Sequence, residues 1–455
     1  MTTEQINPAT GEAIDSYSYM DFSVVETMLH NMQVAQHVWK EQSFQYKAVC
    51  FRSLATLLRA EKESCARMIT REMGKAITES FAEVEKCATL AEYLAEHAES
   101  WLKPRTLHAD GKKHELHFDP LGIICLVMPW NFPFWQPLKV GLPPLLAGNA
   151  IVLKHAKNVS GSSLLLERLM VQAGFPKDIF RSIIVDHSVL AQVIAHPAIA
   201  AGSLTGSEKA GSIFAAQAGK QLKKVVMELG GSDVAIVCKD ADIPLAAKGI
   251  AKGRMMNAGQ VCIATKRILV HQSIEVQFLQ ALVQEVRALR VGDPEQDAID
   301  MGPLVNEQAV KDMESFVEDA LNQGAHCVLG GKRINQSGAY FEPTILTNVT
   351  PNMRVMREEV FGPIAPVMAF TNEEEAITVA NNSTYGLSAT VWTRDMQQGE
   401  RIAKALQTGS VFINSLSKTD PRLPVGGIKN SGFGRELSEY GIREFVNIKT
   451  INVYS

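Results

Sequence analysis

The stretch L-G-I-I-C-L-V-M-P-W-N-F-P-F-W-Q-P-L-K-V-G-L-P-P-L-L-A-G-N-A-I-V-L-K-H, residues 121–155, begins a repeating pattern. Its short apolar runs, 122–128 and 149–154, are typical of strands buried on both faces of a parallel sheet. A helical stretch follows, begun by Ser160 and stopped near Gly174, and then the runs S-I-I-V and A-G-S-L-T-G. This alternation of strands and helices predicts an α/β fold with a mostly parallel, doubly wound sheet.

A second alternating region follows the first. The two regions meet near residues 228–233, so the sequence predicts two α/β domains. The elements predicted in the second region are strands in K-V-V-M-E-L (224–229) and V-A-I-V-C (234–238), a helix over about 242–257, a strand over 265–270 and a long helix over 273–290.

The segments outside these regions have other patterns. Residues 41–97 are rich in Ala, Leu, Glu, Lys and Met with apolar spacings of three and four, which predicts two or three helices. In T-L-H-A-D-G-K-K-H-E-L-H-F (106–118), Asp110-Gly111 signals a β-hairpin. The tail F-V-N-I-K-T-I-N-V-Y (445–454) alternates like a strand, and its partner is either this ribbon or another subunit.

Length and composition restrict the classes of protein. The chain has 455 residues, 46% of them hydrophobic, and a net charge of -4, which favours two or more packed domains and small-molecule or protein partners over nucleic acid. Seven scattered cysteines without a C-x-x-C pair indicate a reducing compartment and no metal site. The polar first residues and the lack of a run of about 18 apolar residues predict a cytoplasmic protein without a membrane segment.

Three residues stand out as candidates for chemistry. Cys262, in N-A-G-Q-V-C-I-A-T-K-R, is either a buried thiol or a nucleophile whose neighbouring backbone N–H groups stabilise a thiolate and an oxyanion. Glu228 ends an apolar strand just before a glycine pair, where it is either a solvated acid or a general base for water. Asn131, among prolines and aromatics, is either part of a rigid core turn or an oxyanion donor.

The sequence carries only a weak dinucleotide signal. No G-x-G-x-x-G is present, and the nearest candidate is T-G-S-E-K-A-G (205–211), between a predicted strand and helix. Such a loop can present a helix N-terminus to a phosphate, but alone it does not identify a cofactor.

Taken together, these segments resemble the NAD(P)-dependent aldehyde dehydrogenase superfamily, from Asn7 to the C-terminus. Among its members the chain is most similar to the shorter bacterial succinate-semialdehyde dehydrogenases, with which it shares K-H-A and the W-Q after P-W-N-F-P. The motifs that carry the resemblance, in the family's order, are P-W-N-F-P (129–133), T-G-S (205–207), E-L-G-G (228–231), G-Q-V-C (259–262), E-E-V-F-G-P (358–363) and G-G-I-K-N-S-G-F-G-R-E (426–436).

The resemblance implies an architecture and a reaction. Cys262 is expected to attack the aldehyde carbon, Asn131 and the Cys262 N–H to hold the oxyanion, and Glu228 to activate the water that releases the acid. The chain is expected to form a homodimer or homotetramer. The implied units are a Rossmann-variant NAD(P)-binding domain (1–101 and 122–228), an α/β catalytic domain (229–439) and a small β oligomerisation element (102–121 and 440–455).

The resemblance also implies a cofactor site. Lys157 stands where the family commonly has a glutamate that receives ribose hydroxyls and repels a 2'-phosphate, so dual use of NAD and NADP is expected. The other matching positions are Trp130, Lys154, Gly206 and Ser207 around the adenine ribose and pyrophosphate, and Glu359 and Phe361 around the nicotinamide ribose and ring.

The substrate is expected to be a small aldehyde with a distal carboxylate. Lys139 matches a tunnel position that is arginine in succinate-semialdehyde dehydrogenases, and Trp135 and Gln136 are expected to line the same helix. Arg422, with Lys418, lies in the loop at the family's substrate-anchoring position. Against this assignment, Met256 occupies a position where the mitochondrial-type semialdehyde enzymes carry a second arginine.

Several alternatives remain at this stage. Glutarate semialdehyde or another small aldehyde is the main competitor for succinate semialdehyde. A coenzyme-A-acylating dehydrogenase would share the nucleophile, but such enzymes usually lack the glutamate found at Glu228. A binding or structural protein that keeps the fold without the chemistry is disfavoured by Asn131, Glu228, Cys262 and Glu359 together.

Overall fold

The computed structural model describes residues 2–454. Its sixteen α-helices are α1 (Phe22–Lys40), α2 (Phe44–Ala60), α3 (Lys62–Met73), α4 (Ile77–His97), α5 (Glu99–Leu102), α6 (Trp135–Leu146), α7 (Ser160–Gln172), α8 (His187–Ala195), α9 (Glu208–Lys220), α10 (Ile243–Met255), α11 (Glu275–Arg287), α12 (Glu307–Asn322), α13 (Arg354–Arg357), α14 (Glu373–Asn381), α15 (Met396–Ala405) and α16 (Ser438–Arg443).

The same part of the chain contains twenty strands. They are β1 (Thr2–Ile6), β2 (Ala13–Ser18), β3 (Arg105–Leu107), β4 (Lys113–Pro120), β5 (Ile123–Met128), β6 (Ala150–His155), β7 (Phe180–Ser182), β8 (Ile199–Thr205), β9 (Lys224–Glu228), β10 (Asp233–Val237), β11 (Thr265–His271), β12 (His326–Leu329), β13 (Thr344–Thr347), β14 (Ile364–Phe370), β15 (Tyr385–Gly386), β16 (Ser388–Trp392), β17 (Ser410–Ile413), β18 (Ile428–Lys429), β19 (Gly432–Phe433) and β20 (Val446–Val453).

The first sheet confirms the parallel fold predicted from residues 121–155. Its order is β19-β9-β8-β5-β6-β7, and every neighbouring pair except β19 with β9 is parallel. β5 and β6 lie side by side in it, with Ile123 opposite Ala150 and α6 as the crossover between them. Five of the six β5 side chains are almost completely buried, as a strand covered by helices on both faces requires.

The helical region before this sheet is also as predicted. Residues 41–97 form three helices, α2, α3 and α4, whose apolar stripes pack into the core beside the sheet. Gly74 ends α3 in the left-handed conformation, with φ of 82°. Because glycine adopts this conformation without a steric penalty, the chain can turn there and begin α4 three residues later.

The second sheet has seven strands in the order β12-β13-β14-β11-β10-β16-β17. All of its pairs are parallel except β12 with β13. Its helices α10 and α11 were predicted as 242–257 and 273–290, slightly longer than observed. The carboxyl end of β9 and the loop before β11 bring Glu228 and Cys262 to the junction of the two sheets.

A third sheet combines the predicted ribbon with the C-terminal strand. β20 pairs antiparallel with β4 over eight residues, and β4 pairs with β3, giving the order β20-β4-β3. Between the two alternatives for the tail, the partner within the chain is therefore the ribbon. Ile448, Ile451 and Val453 on β20 are 53%, 42% and 38% exposed.

One short strand crosses the predicted domain limits. β19 pairs with the end of β9, Gly432 lying opposite Glu228, although the family resemblance implied a catalytic domain over residues 229–439. This segment thus returns to the first sheet and carries Glu436 toward Glu228. Among residues 2–454, none of the helices combines the length and apolarity needed to cross a membrane, and no cluster of His, Cys, Asp or Glu is arranged to hold a metal.

Candidate active site

Cys262 lies in the loop between α10 and β11, at the point where two cavities meet. The first cavity, of about 360 Å³, runs between α4 and α6, and the second, of about 270 Å³, opens beside the N-terminus of α9. Cys262 and Gln136 line both. A sulfur at this junction can contact one ligand in each cavity at the same time.

A left-handed turn in the backbone brings Cys262 to this junction. Asn257, Ala258 and Gly259 have φ angles of 52°, 53° and 75°. At Gly259 a Cβ atom would stand 2.4 Å from the Gly362 carbonyl oxygen, so only glycine fits. The left-handed conformation costs roughly 1–2 kcal/mol for a residue with a side chain, so Asn257 and Ala258 are held by their surroundings.

Two contacts hold Asn257 in this conformation. Its backbone N–H donates to the Glu79 carboxylate at 3.0 Å, and its side-chain amide donates to the Asn131 carbonyl oxygen at 3.1 Å. Burial raises the pKa of Glu79 to about 7, opposed by Lys75 and by the hydrogen bond from Asn257. The loop of the nucleophile is therefore tied to both α4 and the P-W-N-F-P segment.

Cys262 is neutral in the resting site. Burial raises the pKa of its thiol to about 11, while the ammonium groups of Lys139 and Lys266 favour the thiolate and Glu228 and Glu359 oppose it. A thiolate therefore forms only when the site supplies compensating positive charge or hydrogen bonds. Five of the seven cysteines are fully buried, and only Cys262 lines either of the two cavities.

Asn131 lies beside Cys262 in the second cavity. Its side-chain Nδ2 donates to the Gln260 carbonyl oxygen at 3.0 Å, which leaves one N–H of the amide for a ligand. The residue is 3% exposed and is held within the rigid P-W-N-F-P turn. A fixed, buried amide donor next to a nucleophile is suited to stabilising an oxyanion with little reorganisation.

Glu228 lines the first cavity at the end of β9 and is 4% exposed. Burial, and then the nearby Glu436 carboxylate, raise the pKa of Glu228 to about 8, partly offset by Lys139 and a hydrogen bond from the Gly427 backbone. Its buried Oε1 atom has no partner among the described residues. A carboxyl group with a pKa near neutrality and a free oxygen is well placed to take a proton from water.

Lys139 lines the first cavity, but its ammonium group already has a partner. Nζ lies 2.5 Å from Glu436 Oε2, and the two side chains are 5% and 2% exposed. Burial alone would lower the pKa of Lys139, but the carboxylates of Glu436 and Glu228 outweigh it and raise that pKa. The charge on Lys139 is therefore largely neutralised within the protein.

Trp135 and Gln136, at the start of α6, also line the first cavity. Their position is fixed by Glu83, whose Oε1 accepts the backbone N–H groups of Phe134 and Trp135 at 2.8 and 2.9 Å. Its other oxygen forms a buried ion pair with Lys75. A carboxylate at a helix N-terminus satisfies its free N–H groups and interacts favourably with its dipole.

Arg422 does not reach either cavity. Its side chain is 70% exposed and forms an ion pair with Asp420 at 2.6 Å. The same loop lines the first cavity instead through residues 416–419, which include Lys418. The family resemblance indicated an anchoring segment here, but only the folded path of the loop determines which of its side chains face the cavity.

The predicted cofactor residues fall into two places. Trp130, Gly206, Ser207, Glu359 and Phe361 line the second cavity. There the Trp130 and Phe361 rings meet edge to face, with centroids 5.7 Å apart. A separate small cleft is lined by the other two predicted residues, Lys154 and Lys157, and by Tyr19.

The second cavity fits a dinucleotide. Ser207 caps α9 by accepting the Ala210 N–H at 3.3 Å, so the helix N-terminus opens on the cavity and favours a phosphate. The buried Thr205 hydroxyl, also in its wall, has no partner among residues 2–454. In the separate cleft, burial, and then the charge of Lys157, lower the pKa of Lys154. Two neighbouring cations of this kind favour an anionic group such as a ribose phosphate.

Sequence reasoning missed two residues that organise the site. Lys266 donates to the Val261 carbonyl oxygen at 2.8 Å and to that of Cys262, and forms an ion pair with Glu359 at 3.2 Å. Glu436, described above, lies beside Glu228. Glu436 belongs to one of the motifs that carried the family resemblance, and Lys266 is four residues after Cys262. Neither position in the sequence indicates the ion-pair partner, which is Lys139 for Glu436 and Glu359 for Lys266.

The fold and this site define a class of protein. The Aldehyde dehydrogenase family matches residues 1–451, so the chain belongs to that family. Two relatives are similar over nearly their whole length. The probable succinate-semialdehyde dehydrogenase [NADP(+)] of a Synechocystis species is 41% identical over 451 residues, covering 99% of each chain. The succinate semialdehyde dehydrogenase [NAD(P)+] Sad of Escherichia coli is 42% identical over 446 residues, covering 98% of this chain and 96% of its own.

A solved structure gives the same result for the fold. Succinic semialdehyde dehydrogenase from Streptococcus pyogenes, in complex with NADP+, superposes with a TM-score of 0.97 at 34% identity, covering 100% of both chains. The family and fold expected from the sequence motifs are confirmed.

Proposed function

We propose that this protein oxidises succinate semialdehyde to succinate, with NADP+ or NAD+ as the hydride acceptor. The observation that carries this proposal is the position of Cys262, where a cavity suited to a dinucleotide meets one that contains Glu228 and several cations. The named activities of the similar proteins from Synechocystis, Escherichia coli and Streptococcus pyogenes support the choice of substrate and cofactor.

The residues at the junction divide the chemistry between them. Cys262 Sγ attacks the aldehyde carbon as the thiolate, after its proton has passed to solvent, and the Asn131 amide and the Cys262 backbone N–H hold the oxyanion of the thiohemiacetal. A bound nicotinamide would supply the acceptor for the hydride of this carbon, whose loss leaves a thioester on Cys262. Glu228 takes a proton from water as the water attacks the thioester, and Cys262 leaves as the acid is released.

Two side chains would hold the nicotinamide end of the cofactor. Glu359 lies in the cavity wall, where its carboxylate accepts the Gly231 N–H at 3.0 Å and pairs with Lys266. A carboxylate fixed in this way can receive ribose hydroxyls. Phe361 presents an aromatic ring beside Trp130, suited to contact with a nicotinamide ring.

Lys157 is proposed to permit the use of NADP. It is exposed beside Lys154, where a 2'-phosphate would gain a charge-assisted contact. Lys157→Glu should lower kcat/KM for NADP by about tenfold or more, equivalent to about 1.4 kcal/mol, and change that for NAD much less. Steady-state kinetics with both cofactors test this, with the exposed Lys177→Glu as a control for net charge. An unchanged NADP to NAD ratio in Lys157→Glu would contradict it.

The substrate proposal requires positive charge in the first cavity. Lys139 contributes to the wall, but its pairing with Glu436 leaves a distal carboxylate in need of a further cation. Glutarate semialdehyde, one methylene longer, is the principal alternative substrate.

A substrate panel tests the function directly. Succinate semialdehyde, glutarate semialdehyde and butanal are compared by the appearance of reduced cofactor with NAD and with NADP, in the presence and absence of coenzyme A. We expect the highest kcat/KM for succinate semialdehyde, without a requirement for coenzyme A. Equal or higher values for butanal would refute the proposed substrate, and the absence of turnover with every aldehyde would indicate a binding protein.

A further inference from the structure

Lys86, on α4, is a cation in the first cavity that the sequence motifs did not indicate. Its side chain is half-buried and lines the same cavity as Cys262. Nζ lies over the Trp135 ring, 4.1 Å from its centroid, and donates to the Thr419 hydroxyl. The ammonium group is thus held between α6 and the loop of residues 415–424.

Lys86 has no carboxylate within ion-pair distance among residues 2–454, in contrast to two other lysines of this cavity. Lys75 pairs with Glu83, and Lys139 pairs with Glu436. Glu83, on the same helix as Lys86, has both carboxylate oxygens occupied. Its Oε2 pairs with Lys75, and its Oε1 accepts the two N–H groups at the start of α6. No internal anion therefore neutralises Lys86.

The surroundings of Lys86 make it a strong site for an anion. Burial, and then the nearby charge of Lys139, lower the pKa of Lys86 to about 8, so its charged form lacks the solvation it would have in water. An ammonium group has three N–H donors, and the Thr419 hydroxyl uses one of them. The Thr419 hydroxyl can also turn its own hydrogen toward a bound carboxylate, which gives two adjacent donors.

We propose that Lys86, together with the Thr419 hydroxyl, binds the distal carboxylate of the aldehyde substrate, and that Lys139 instead balances the charge of Glu436 beside Glu228. This inference rests on the proposed function, because only an ω-carboxy aldehyde would use such a site. The substrate would then extend from Cys262 past Trp135 to α4. Of Lys75, Lys86 and Lys139, only Lys86 is free to bind a carboxylate.

Two variants test the inference against two aldehydes of equal carbon number, succinate semialdehyde and butanal. Lys86→Met keeps the length and apolar stem of the side chain while removing the charge. It should raise KM for succinate semialdehyde by about tenfold or more, equivalent to about 1.4 kcal/mol, with kcat and the kinetics of butanal nearly unchanged. Lys86→Arg should recover most of the loss.

A matched control removes another cation from the same cavity. Lys252 lines the wall from α10, is exposed, and has no ion-pair partner among the described residues, so Lys252→Met changes the net charge equally. We expect it to change the ratio of kcat/KM for the two aldehydes less than twofold. A change as large as that of Lys86→Met would mean that net charge, and not the Lys86 site, selects the substrate, and would overturn the inference.

The outcomes separate this inference from the proposed function. A wild-type enzyme that does not prefer succinate semialdehyde over butanal refutes the function itself. A wild-type preference that survives in Lys86→Met, or that is lost selectively in Lys139→Leu instead, refutes the role of Lys86. Inhibition by succinate gives a second readout without turnover, because its inhibition constant should rise in Lys86→Met in parallel with KM.

Discussion

At the scale of single residues, the site depends on a group of buried charged side chains that shift one another's pKa. Glu228 and Lys139 line the first cavity, and Glu436 lies behind them, paired with Lys139 and close enough to affect the pKa of Glu228. The Glu436 carboxylate raises the pKa of Glu228, and Lys139 offsets only part of this effect. This arrangement leaves Glu228 able to act as a base at a pH close to neutrality.

Glu228→Gln removes the base but keeps the shape of the side chain. Steady-state turnover should fall by about 100-fold or more, the range expected for loss of a general base. A burst of reduced cofactor should remain in the first turnover, because hydride transfer precedes hydrolysis of the thioester. Stopped-flow absorbance checks both results. Loss of both the burst and steady-state turnover would show that Glu228 acts before hydrolysis, in thiohemiacetal formation or hydride transfer.

The pH dependence of kcat provides a second test of the same group. Because only the ionised Glu228 accepts a proton from water, kcat should rise as the pH increases through the pKa of Glu228, near 8. Glu436→Gln removes a neighbouring negative charge and frees Lys139, and both changes lower the pKa of Glu228. The rising limb should therefore move to lower pH in that variant.

Glu439→Gln is the control for this shift. Glu439 lies three residues further along, 41% exposed, and pairs with Arg443. Its neutralisation should leave the pH profile of kcat unchanged. If kcat rises over the same pH range in Glu436→Gln as in the wild type, Glu436 does not raise the pKa of Glu228.

At the scale of elements, the left-handed turn between α10 and β11 positions the nucleophile. Gly259→Ala would place a methyl group 2.4 Å from the Gly362 carbonyl oxygen in a conformation that itself costs about 1–2 kcal/mol. We expect a fall in unfolding free energy of at least that amount and a large loss of kcat, measured by urea unfolding and steady-state kinetics. Wild-type stability and activity in this variant would contradict the packing described for the loop.

Gly219→Ala, near the end of α9, is the matched control. A Cβ atom there meets nothing within 4 Å, and the residue is helical. Alanine should therefore stabilise the protein by up to about 1 kcal/mol. Substitution of glycine by alanine is thus expected to lower the unfolding free energy at Gly259 and to raise it at Gly219, because only the folded structure sets the space around each residue.

Elements were predicted well where the pattern is local. Hydrophobic periodicity indicated the parallel strands β5, β6 and β8 and the three helices of residues 41–97. Each of these elements buries apolar side chains, and the spacing of those residues along the chain can be read from the sequence. The short strand β19 carried no such signal. It exists because a segment far along the chain returns to pair with β9, and contacts of that kind are not encoded by local spacing.

At the scale of the whole molecule, the third sheet presents an apolar edge. β20 is an edge strand with Ile448, Ile451 and Val453 partly exposed, and a long exposed edge of this kind is an association site. We expect a homodimer or homotetramer, with a mass two or four times the 49.8 kDa of one chain. Light scattering after gel filtration measures this mass.

A single substitution tests whether this edge forms the interface. Ile451→Lys should shift the protein to smaller species, since a charge is costly to bury between subunits. Leu222→Lys, at a position 96% exposed outside this sheet, should leave the mass unchanged. Wild-type mass in Ile451→Lys would indicate that the subunits associate through another surface.

The sequence by itself determined the α/β class, the family and the candidate catalytic residues Cys262, Glu228 and Asn131, because these depend on local periodicity and on motifs of adjacent residues. The tertiary structure alone decided which charges are free. It pairs Lys139 with Glu436, turns Arg422 away from the cavity and leaves Lys86 without a carboxylate. Whether a charged side chain is neutralised depends on partners brought from distant parts of the chain, and local sequence patterns do not specify them.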